Sequence, residues 1–422
     1  MDLNVARQVD KWLGLALCLV FFAFDRTVGR LLGRRMPPLV ATTPPQPDAP
    51  IPTPRRILCI KFYGLGNIVM LIPVLEALRR RHPGAEIDFL TMTGNIELLG
   101  RSGVITRAIG VDTSTIGRFV RTMSAALRVV RARGYDTVVD FEQFVKVSTV
   151  IAYLSGARER IGFNTDGQRR GFAYTTRVVY TDSEHMRDIY ARLTRPLDVS
   201  GPLPAVRLAL RAEERAKAAA FLAAAGVSDG HFPIVAMHLG IGMNFYEVPL
   251  KRWDPSYFAT LADTLAERYG AVVVFTGQGA DEGELIATTR ARMRHPALDA
   301  SNRFSIGELA ALLERCHFVV SNDTSVMHVA SLMGTPVVAL FGPTAPAHYG
   351  PQGTRDLVFY RDLYCSPCLT NYNLKVSRCV DPVCMRTITP EMVLAAIEAQ
   401  YLGDTAAHRD WLRGRVRAAS AA

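Results

Sequence analysis

The chain has 422 residues, 49% of them hydrophobic and 21% charged. That is too long for one compact core and too apolar for a disordered chain, so two domains with additional segments are expected. Lys and Arg number 49 against 39 Asp and Glu, a net charge of +10. This balance favours an anionic partner, although a basic surface without a specific ligand has the same composition. No zinc-finger, RNP or basic-zipper pattern is present, so no nucleic-acid partner is expected.

Residues 1–36 centre on the apolar run Trp12–Phe24, preceded by Lys11 and followed by Arg26, Arg30, Arg34 and Arg35. As a helix the run would span about 20 Å, against about 30 Å of hydrocarbon. Apolar residues ringed by cations therefore predict a membrane-associated helix lying in an anionic interface. A helix packed on the protein's own surface and a signal anchor are the alternatives; the downstream positive charge and the missing A-x-A site weaken the anchor. Residues 37–54 are proline-rich and read as an extended tether. No cleavable signal peptide is evident, and Cys18, Cys59 and Cys316 sit in apolar stretches as small core hydrophobes, so a reducing cytosolic compartment is expected.

From Arg55 strands and helices alternate. RRILCIKFY reads as a buried strand, Asn67–Arg81 as a helix, EIDFLT as a strand, Gly117–Arg133 as a basic helix and DTVVDF as a strand. The pattern breaks near Leu197–Pro204, which divides an N-terminal domain, 55–200, from a second, 201–388. There an Ala-rich helix, Arg211–Ala225, is followed by the strands PIVAMHLG, AVVVFTG, HFVVSND and PVVALFG, with helices over Asp254–Tyr269, Ser305–Arg315 and Ser325–Met333. Residues 389–422 hold a closing helix, Pro390–Tyr401, and an Ala/Arg-rich tail. Repeated β–α alternation predicts two doubly wound α/β lobes, with a ligand cleft between them at the carboxyl ends of the strands.

Three stretches carry candidate chemistry. In SNDTSVMHVASLMG a buried strand ends at Asn322-Asp323 and a helix opens at Thr324 or Ser325. Free amides, the helix dipole, the Thr324 and Ser325 hydroxyls and His328 one turn in would suit a diphosphate. The plainer alternative is that Asp323 and Thr324 merely cap the helix. Lys251, in Lys251-Arg252-Trp253, can reach a phosphate as a point charge, or belong to a solvated charge pair beside a core tryptophan. Without a D-x-D metal motif, leaving-group charge would fall to Lys251, helix amides and hydroxyls. The turn Phe62–Asn67 has glycines at Gly64 and Gly66, but Val69 stands where a dinucleotide fingerprint needs a third, which disfavours a nicotinamide enzyme.

In these motifs and their order, from about Arg55 to Tyr401, the chain resembles glycosyltransferase family 9, the lipopolysaccharide heptosyltransferases. RILCIKFYGLGNIVMLIPVLEALRRRHPGAEIDFLT resembles the family's opening unit. VVDFEQFVKVS resembles its D-x-Q-G-x-x-K-S stretch, and RIGF its RIGF stretch. KRW, S-N-D-T-x-x-x-H-x-A and GTPVVALFGPT resemble its donor-binding motifs, and CSPC…C…CM before ITPE resembles its ending. The resemblance implies a GT-B fold and inverting, metal-independent transfer from a nucleotide-diphosphate sugar, ADP-heptose in the best-known members. The acceptor would be a lipid-linked saccharide at the cytoplasmic face of the inner membrane, with the enzyme bound peripherally. Lys251 and Thr324 would hold phosphates, and Asp323, Ser325 and His328 would line the donor site. Ser325 stands where the family often has glycine. An acidic residue after TGQG would meet the nucleoside, with Glu282, Asp281 and Glu284 as contenders. Gly64, Gly66, Lys146 and His185 would lie toward the acceptor, although His185 also reads as an ordinary helix-start residue.

One departure stands out. The family's general base is an aspartate after the glycine turn, and here that position is Asn67. An amide takes no proton at neutral pH, and base assistance is typically worth about 10² to 10⁴ in rate. Glu142 or Asp140 would then be the base, or Asn67 only orients the acceptor hydroxyl, or the chain binds nucleotide-sugar with little transfer. Cys365, Cys368, Cys379 and Cys384, spaced C-x2-C-x10-C-x4-C, are candidates for a structural zinc site, with reduced thiols in a loop as the alternative. Arg118, Arg121, Arg128 and Arg131 line one helix face, for acceptor phosphates or for solvent.

Overall fold

The computed structural model describes residues 53–403 apart from 229, 243–248 and 374. The apolar–basic segment 1–36, the tether up to residue 52 and the tail from 404 lie outside the described residues. Among the described residues no helix is long and apolar enough to cross a membrane. Two compact units divide between Val206 and Arg207.

The first unit holds six strands: β1 (Arg56–Ile60), β2 (Glu86–Met92), β3 (Arg107–Val111), β4 (Thr137–Asp140), β5 (Glu159–Asn164) and β6 (Thr176–Val179). All pair in parallel, in the order β3-β2-β1-β4-β5-β6. Ile57–Ile60 are buried because β1 lies between β2 and β4 with helices above and below, which is why its sequence is a continuous apolar run. The following helix, Leu65–Arg81, buries Ile68 to Val74 and ends on Arg79, Arg80 and Arg81. Cations there complement the negative end of the helix. Arg79 also donates to Val104 O and Ala85 O, which ties the helix end to the approach of β2.

The second unit repeats the plan with β7 (Ile234–His238), β8 (Val272–Thr276), β9 (Leu298–Asp299), β10 (Phe318–Asn322), β11 (Val337–Phe341) and β12 (Leu357–Tyr360). Their order, β12-β11-β10-β7-β8-β9, is again wholly parallel. Trp253 anchors its core. The ring is fully buried, meets Phe258 edge-on at 4.8 Å, and donates from Nε1 to Ile388 O at 2.6 Å. The closing helix, Pro390–Ile397, with Tyr401 beyond it, packs into this same core, and Tyr401 stacks on Phe318.

Each sheet reverses its strand order once, between β1 and β4 and between β7 and β10. Loops leaving the two strands at such a point part in opposite directions and open a crevice over their carboxyl ends. The residues there are Lys61–Asn67 and Asp140–Gln143 in one unit, and Leu239–Gly240 and Asn322–Thr324 in the other.

Trp253→Phe keeps an aromatic in the core but leaves Ile388 O without its donor. We expect a loss of about 1–3 kcal/mol in urea unfolding. A variant as stable as the wild type would show that this hydrogen bond does not anchor the core.

Candidate active site

In the first unit a buried lysine organises the crevice. Lys61 follows the last residue of β1 and is 2% exposed. Its Nζ donates to Glu142 Oε2 at 2.7 Å and to Gln143 Oε1 at 3.2 Å. The other oxygen, Glu142 Oε1, accepts from Phe62 N at 2.7 Å and Tyr63 N at 3.1 Å. The loop after β4 thereby holds the turn after β1. Gly64, at φ 88, opens the helix Leu65–Arg81, and a Cβ there would collide with the Asn67 amide. Left-handed backbone and close approach together require glycine at this position.

These contacts bear on two expected residues. Glu142 is engaged as a structural carboxylate, its oxygens accepting from a lysine ammonium and two backbone amides. Asp140 is fully buried; Oδ2 accepts from Arg170 Nη2 at 2.9 Å and Tyr174 OH at 2.7 Å, and Oδ1 from Glu142 N at 3.0 Å. Burial pushes the Asp140 carboxyl up, while Arg170 and Tyr174 pull it down. Arg170 is itself fully buried and donates also to Thr149, Ser148, Tyr174 and the Glu142 carbonyl, so this is a framework under the site. By contrast, Asn67 Oδ1 is buried with no hydrogen-bond partner among the described residues. Buried acceptors rarely stay unpaired unless something else occupies them.

The other acceptor-side expectations divide. Lys146 begins the helix Lys146–Leu154 and donates to Gln168 Oε1 at 3.2 Å. Gly66 lies in the first turn of the helix Leu65–Arg81. His185 caps the helix Met186–Thr194: Nδ1 accepts from Arg187 N at 3.2 Å. That hydrogen bond and its burial agree with the plainer reading of His185 as a helix-start residue.

In the second unit the helix Ser325–Leu332 starts directly beyond β10. Asp323 does not cap it. Its Oδ2 accepts from Lys251 Nζ at 2.6 Å and from Thr344 Oγ1 at 2.7 Å. Thr324 takes the N-cap position with its hydroxyl 3.3 Å from Ser321 Oγ, not on the helix amides. The capping alternative therefore does not hold, and the first turn keeps amides that no side-chain cap occupies. His328 lies buried on this helix, and Ser325 is its first residue. Asn322 ties the site together, accepting from Trp253 N at 3.0 Å and donating to the Leu239 and Gly240 carbonyls.

Of the three acidic contenders after TGQG, Asp281 and Glu284 are exposed, whereas Glu282 is half-buried. Its carboxylate accepts from Gln278 N at 2.8 Å and packs on Gly240 and Gly277, where a Cβ would overlap it. Glu282 thus lies across the carboxyl ends of β7 and β8. Beside it His238 Nδ1 lies 3.0 Å from Thr276 O, and burial holds this imidazole low against the pull of Glu282. Arg252 has a buried Nε without a partner among the described residues.

The structural zinc site is not shown. Cys384 is buried in the second core, Cys365 is exposed, and Cys368 Sγ accepts from Ser377 Oγ at 3.4 Å. Among the described residues no three His, Cys, Asp or Glu side chains are grouped to hold a metal. Burial, and then the neighbouring thiols, push the Cys384 thiol up to about 11.

Sequence reasoning missed Lys61, Arg170 and Thr344. A lysine inside the apolar run RILCIKFY was a readable signal for the first; Arg170 lies in a polar loop with none.

Compared with known proteins, residues 123–376 match the family model "Glycosyltransferase family 9 (heptosyltransferase)". The chain is 25% identical over 376 residues to lipopolysaccharide heptosyltransferase 1 of Pseudomonas aeruginosa, covering 82% of this chain and 98% of that protein. It is 25% identical to lipooligosaccharide heptosyltransferase 2 of Haemophilus ducreyi, covering 72% and 88%. Among solved structures, a family 9 glycosyl transferase from Veillonella parvula superposes with a TM-score of 0.70 at 24% identity, covering 82% and 97%. An E. coli heptosyltransferase solved with ADP superposes at 0.59 and 18% identity, covering 82% and 99%. The two parallel six-stranded sheets and these neighbours establish the GT-B α/β fold.

Burial alone would raise Asp323, but Lys251, Lys375 and Thr344 overcome it and bring the carboxyl from 3.8 to about 2. A depressed folded value stabilises above the unfolded one, so the contribution is complete above about pH 4 and is lost as pH falls toward 2. Asp323→Asn should remove this acid-side loss, on the order of 2 kcal/mol, from a stability–pH profile. An identical profile in the variant would show that Asp323 is not held ionised by its partners.

Proposed function

The chain belongs to glycosyltransferase family 9, and on that premise we propose that it moves a heptose from a nucleotide-diphosphate donor to a lipopolysaccharide-type, lipid-linked acceptor. The chain is a glycosyltransferase by family; the sugar and acceptor follow the names of its relatives. The observation that carries the donor reading is the site at the end of β10. There Lys251 and Thr344 converge on Asp323 beside the helix start at Ser325. Phosphates favour such a helix start, and a lysine adds a point charge. Glu282 at the ends of β7 and β8 suits nucleoside hydroxyls, which donate to a carboxylate.

In this proposal transfer is inverting and proceeds without a metal. The acceptor hydroxyl oxygen bonds to the anomeric carbon from the face opposite the leaving group. The bond from that carbon to the phosphate oxygen breaks, and its electron pair leaves with the nucleoside diphosphate. The hydroxyl proton passes to solvent. Asn67 takes the orienting role: its unpaired Oδ1 accepts the hydrogen bond of the acceptor hydroxyl. Lys61 and Glu142 support it by fixing the turn that carries it. Work on a lipid-linked acceptor at the cytoplasmic membrane face, with the N-terminal segment in the interface, completes the reading.

Incubating the protein with ADP-heptose and a heptose-deficient lipopolysaccharide should yield a heptosylated product by mass spectrometry. Donor binding without product would favour the binding-protein alternative. Asn67→Asp restores a titratable carboxylate and should raise kcat by at least about tenfold, within the range of base assistance. A variant no faster than the wild type would show that proton removal does not limit transfer.

A further inference from the structure

The helix Ile116–Arg133 of the first unit carries arginines at 118, 121, 128, 131 and 133 and no acidic residue. Its inner side is apolar: Met123, Ala126 and Val130 are buried, and Phe119, Leu127 and Val129 pack on the same core. Two of the arginines are neutralised, Arg118 by Asp112 at 3.3 Å and Arg133 by Glu86 at 2.6 Å. Arg121, Arg128 and Arg131 are exposed, and among the described residues none of them pairs with a carboxylate. Arg128 and Arg131 donate only from Nε, to Ser124 O and Leu154 O, which leaves their terminal nitrogens for an anion.

These three cations share one surface. Arg121 and Arg128 stand two helical turns apart on one line, and Arg131 lies one turn beyond Arg128. The exposed residues between them, Gly117, Ser124, Ala125 and Ala132, are small, so the helix can lie close against a flat partner. At the amino end of this surface Ile116 and Val120 are 63% and 56% exposed. Being four residues apart, they are neighbours on the helix. Among the described residues of the first unit, Val179 is the one other large hydrophobic exposed in this way. Single exposed apolar side chains need no explanation, whereas an adjacent pair beside unpaired cations marks a contact surface. The helix is entered from the carboxyl end of β3, and all strands of this sheet are parallel. Ile116 and Val120 therefore lie toward the side on which the crevice of this unit opens.

We propose that this outer face of the helix Ile116–Arg133 docks the folded body on an anionic phospholipid bilayer, with Arg121, Arg128 and Arg131 on the headgroups and Ile116 and Val120 entering the hydrocarbon. This deepens the reading of a lipid-linked acceptor and rests on it for the presence of a membrane. It adds a contact separate from the N-terminal segment. Unpaired cations with no anion among them select an anionic partner by charge complementarity. The apolar pair selects a bilayer over a soluble polyanion, because a bilayer offers hydrocarbon within reach of its phosphates. Basic side chains near such a surface are attracted within a Debye length of it. Docking by this face brings the crevice side of the first unit to the membrane, where a lipid-linked saccharide is presented.

The test is flotation of the full chain with vesicles of phosphatidylcholine alone and of phosphatidylcholine with phosphatidylglycerol in equal parts. Arg121→Gln/Arg128→Gln/Arg131→Gln places a good helix former at exposed positions, so the fold is retained. It should bind the anionic vesicles at least about tenfold more weakly than the wild type. Ile116→Gln/Val120→Gln should also bind them more weakly. Arg268→Gln/Arg294→Gln/Arg386→Gln makes the same charge change at exposed positions of the second unit and should bind as the wild type does. Equal vesicle binding by the wild type and the first variant overturns the proposal and leaves the transferase reading standing. An equal loss in the second-unit variant also overturns it, since net charge alone then carries the binding. Heptose transfer to a deacylated, water-soluble acceptor should match the wild type in the first variant; a loss there assigns the arginines to the acceptor's own phosphates and overturns the bilayer contact. A wild type that binds the anionic vesicles through this face but transfers heptose to no acceptor removes the functional reading alone.

Discussion

A parallel sheet whose strand order reverses at its middle must leave an opening over the carboxyl ends of the two strands where the reversal occurs. Both units of this chain obey that constraint, at β1/β4 and at β7/β10. Every residue to which chemistry is assigned in either unit depends on it. Lys61 and Glu142 meet because β1 and β4 are neighbours whose following loops part there. Asn322 reaches the Leu239 and Gly240 carbonyls because β10 and β7 are neighbours in the same way.

Within these openings buried charge is used for positioning. Burying an ion is costly unless a partner and hydrogen bonds compensate, and removing one partner of such a pair is strongly destabilising. Lys61 and Glu142 are both almost wholly buried, and every oxygen of the glutamate is occupied. Asp140 and Arg170 form a second such pair directly beneath. Their joint effect is to hold the 62–67 turn rigid, which matters because a hydroxyl oriented for attack tolerates little displacement. The exchange of an aspartate base for Asn67 leaves this scaffold intact. What it removes is one titratable group from a site that is otherwise fully supported.

The second unit works by a different balance. Asp323 is a fixed anion whose partners, Lys251 and Thr344, come from two other loops. A carboxylate at a helix start would ordinarily occupy the first amides. Here it is turned away from them, and the helix start stays open to an anion.

Much of the fold was legible in the sequence because central parallel strands are buried on both faces and read as unbroken apolar runs: RILCI, TVVD, IVAMH, VVVFT, FVVSN and VVALF each became a strand. The outer strands β3, β6, β9 and β12 were not legible, since partial exposure breaks the run. Asp323 and Asn67 could be singled out because each directly follows a strand or a glycine turn, and Lys251 because it stands in a loop just before the helix Pro255–Tyr269. Their partners could not. Which oxygens of Glu142 are occupied, that His185 caps a helix, and that Cys384 enters a core while Cys365 faces solvent are matters of three-dimensional proximity. Local sequence sets which residues end a strand, because hydrophobic periodicity and turn chemistry act over a few positions. Which charges meet there is set by strand order and by loops that return from far along the chain, as Lys251 does to Asp323, and only the folded structure decides it.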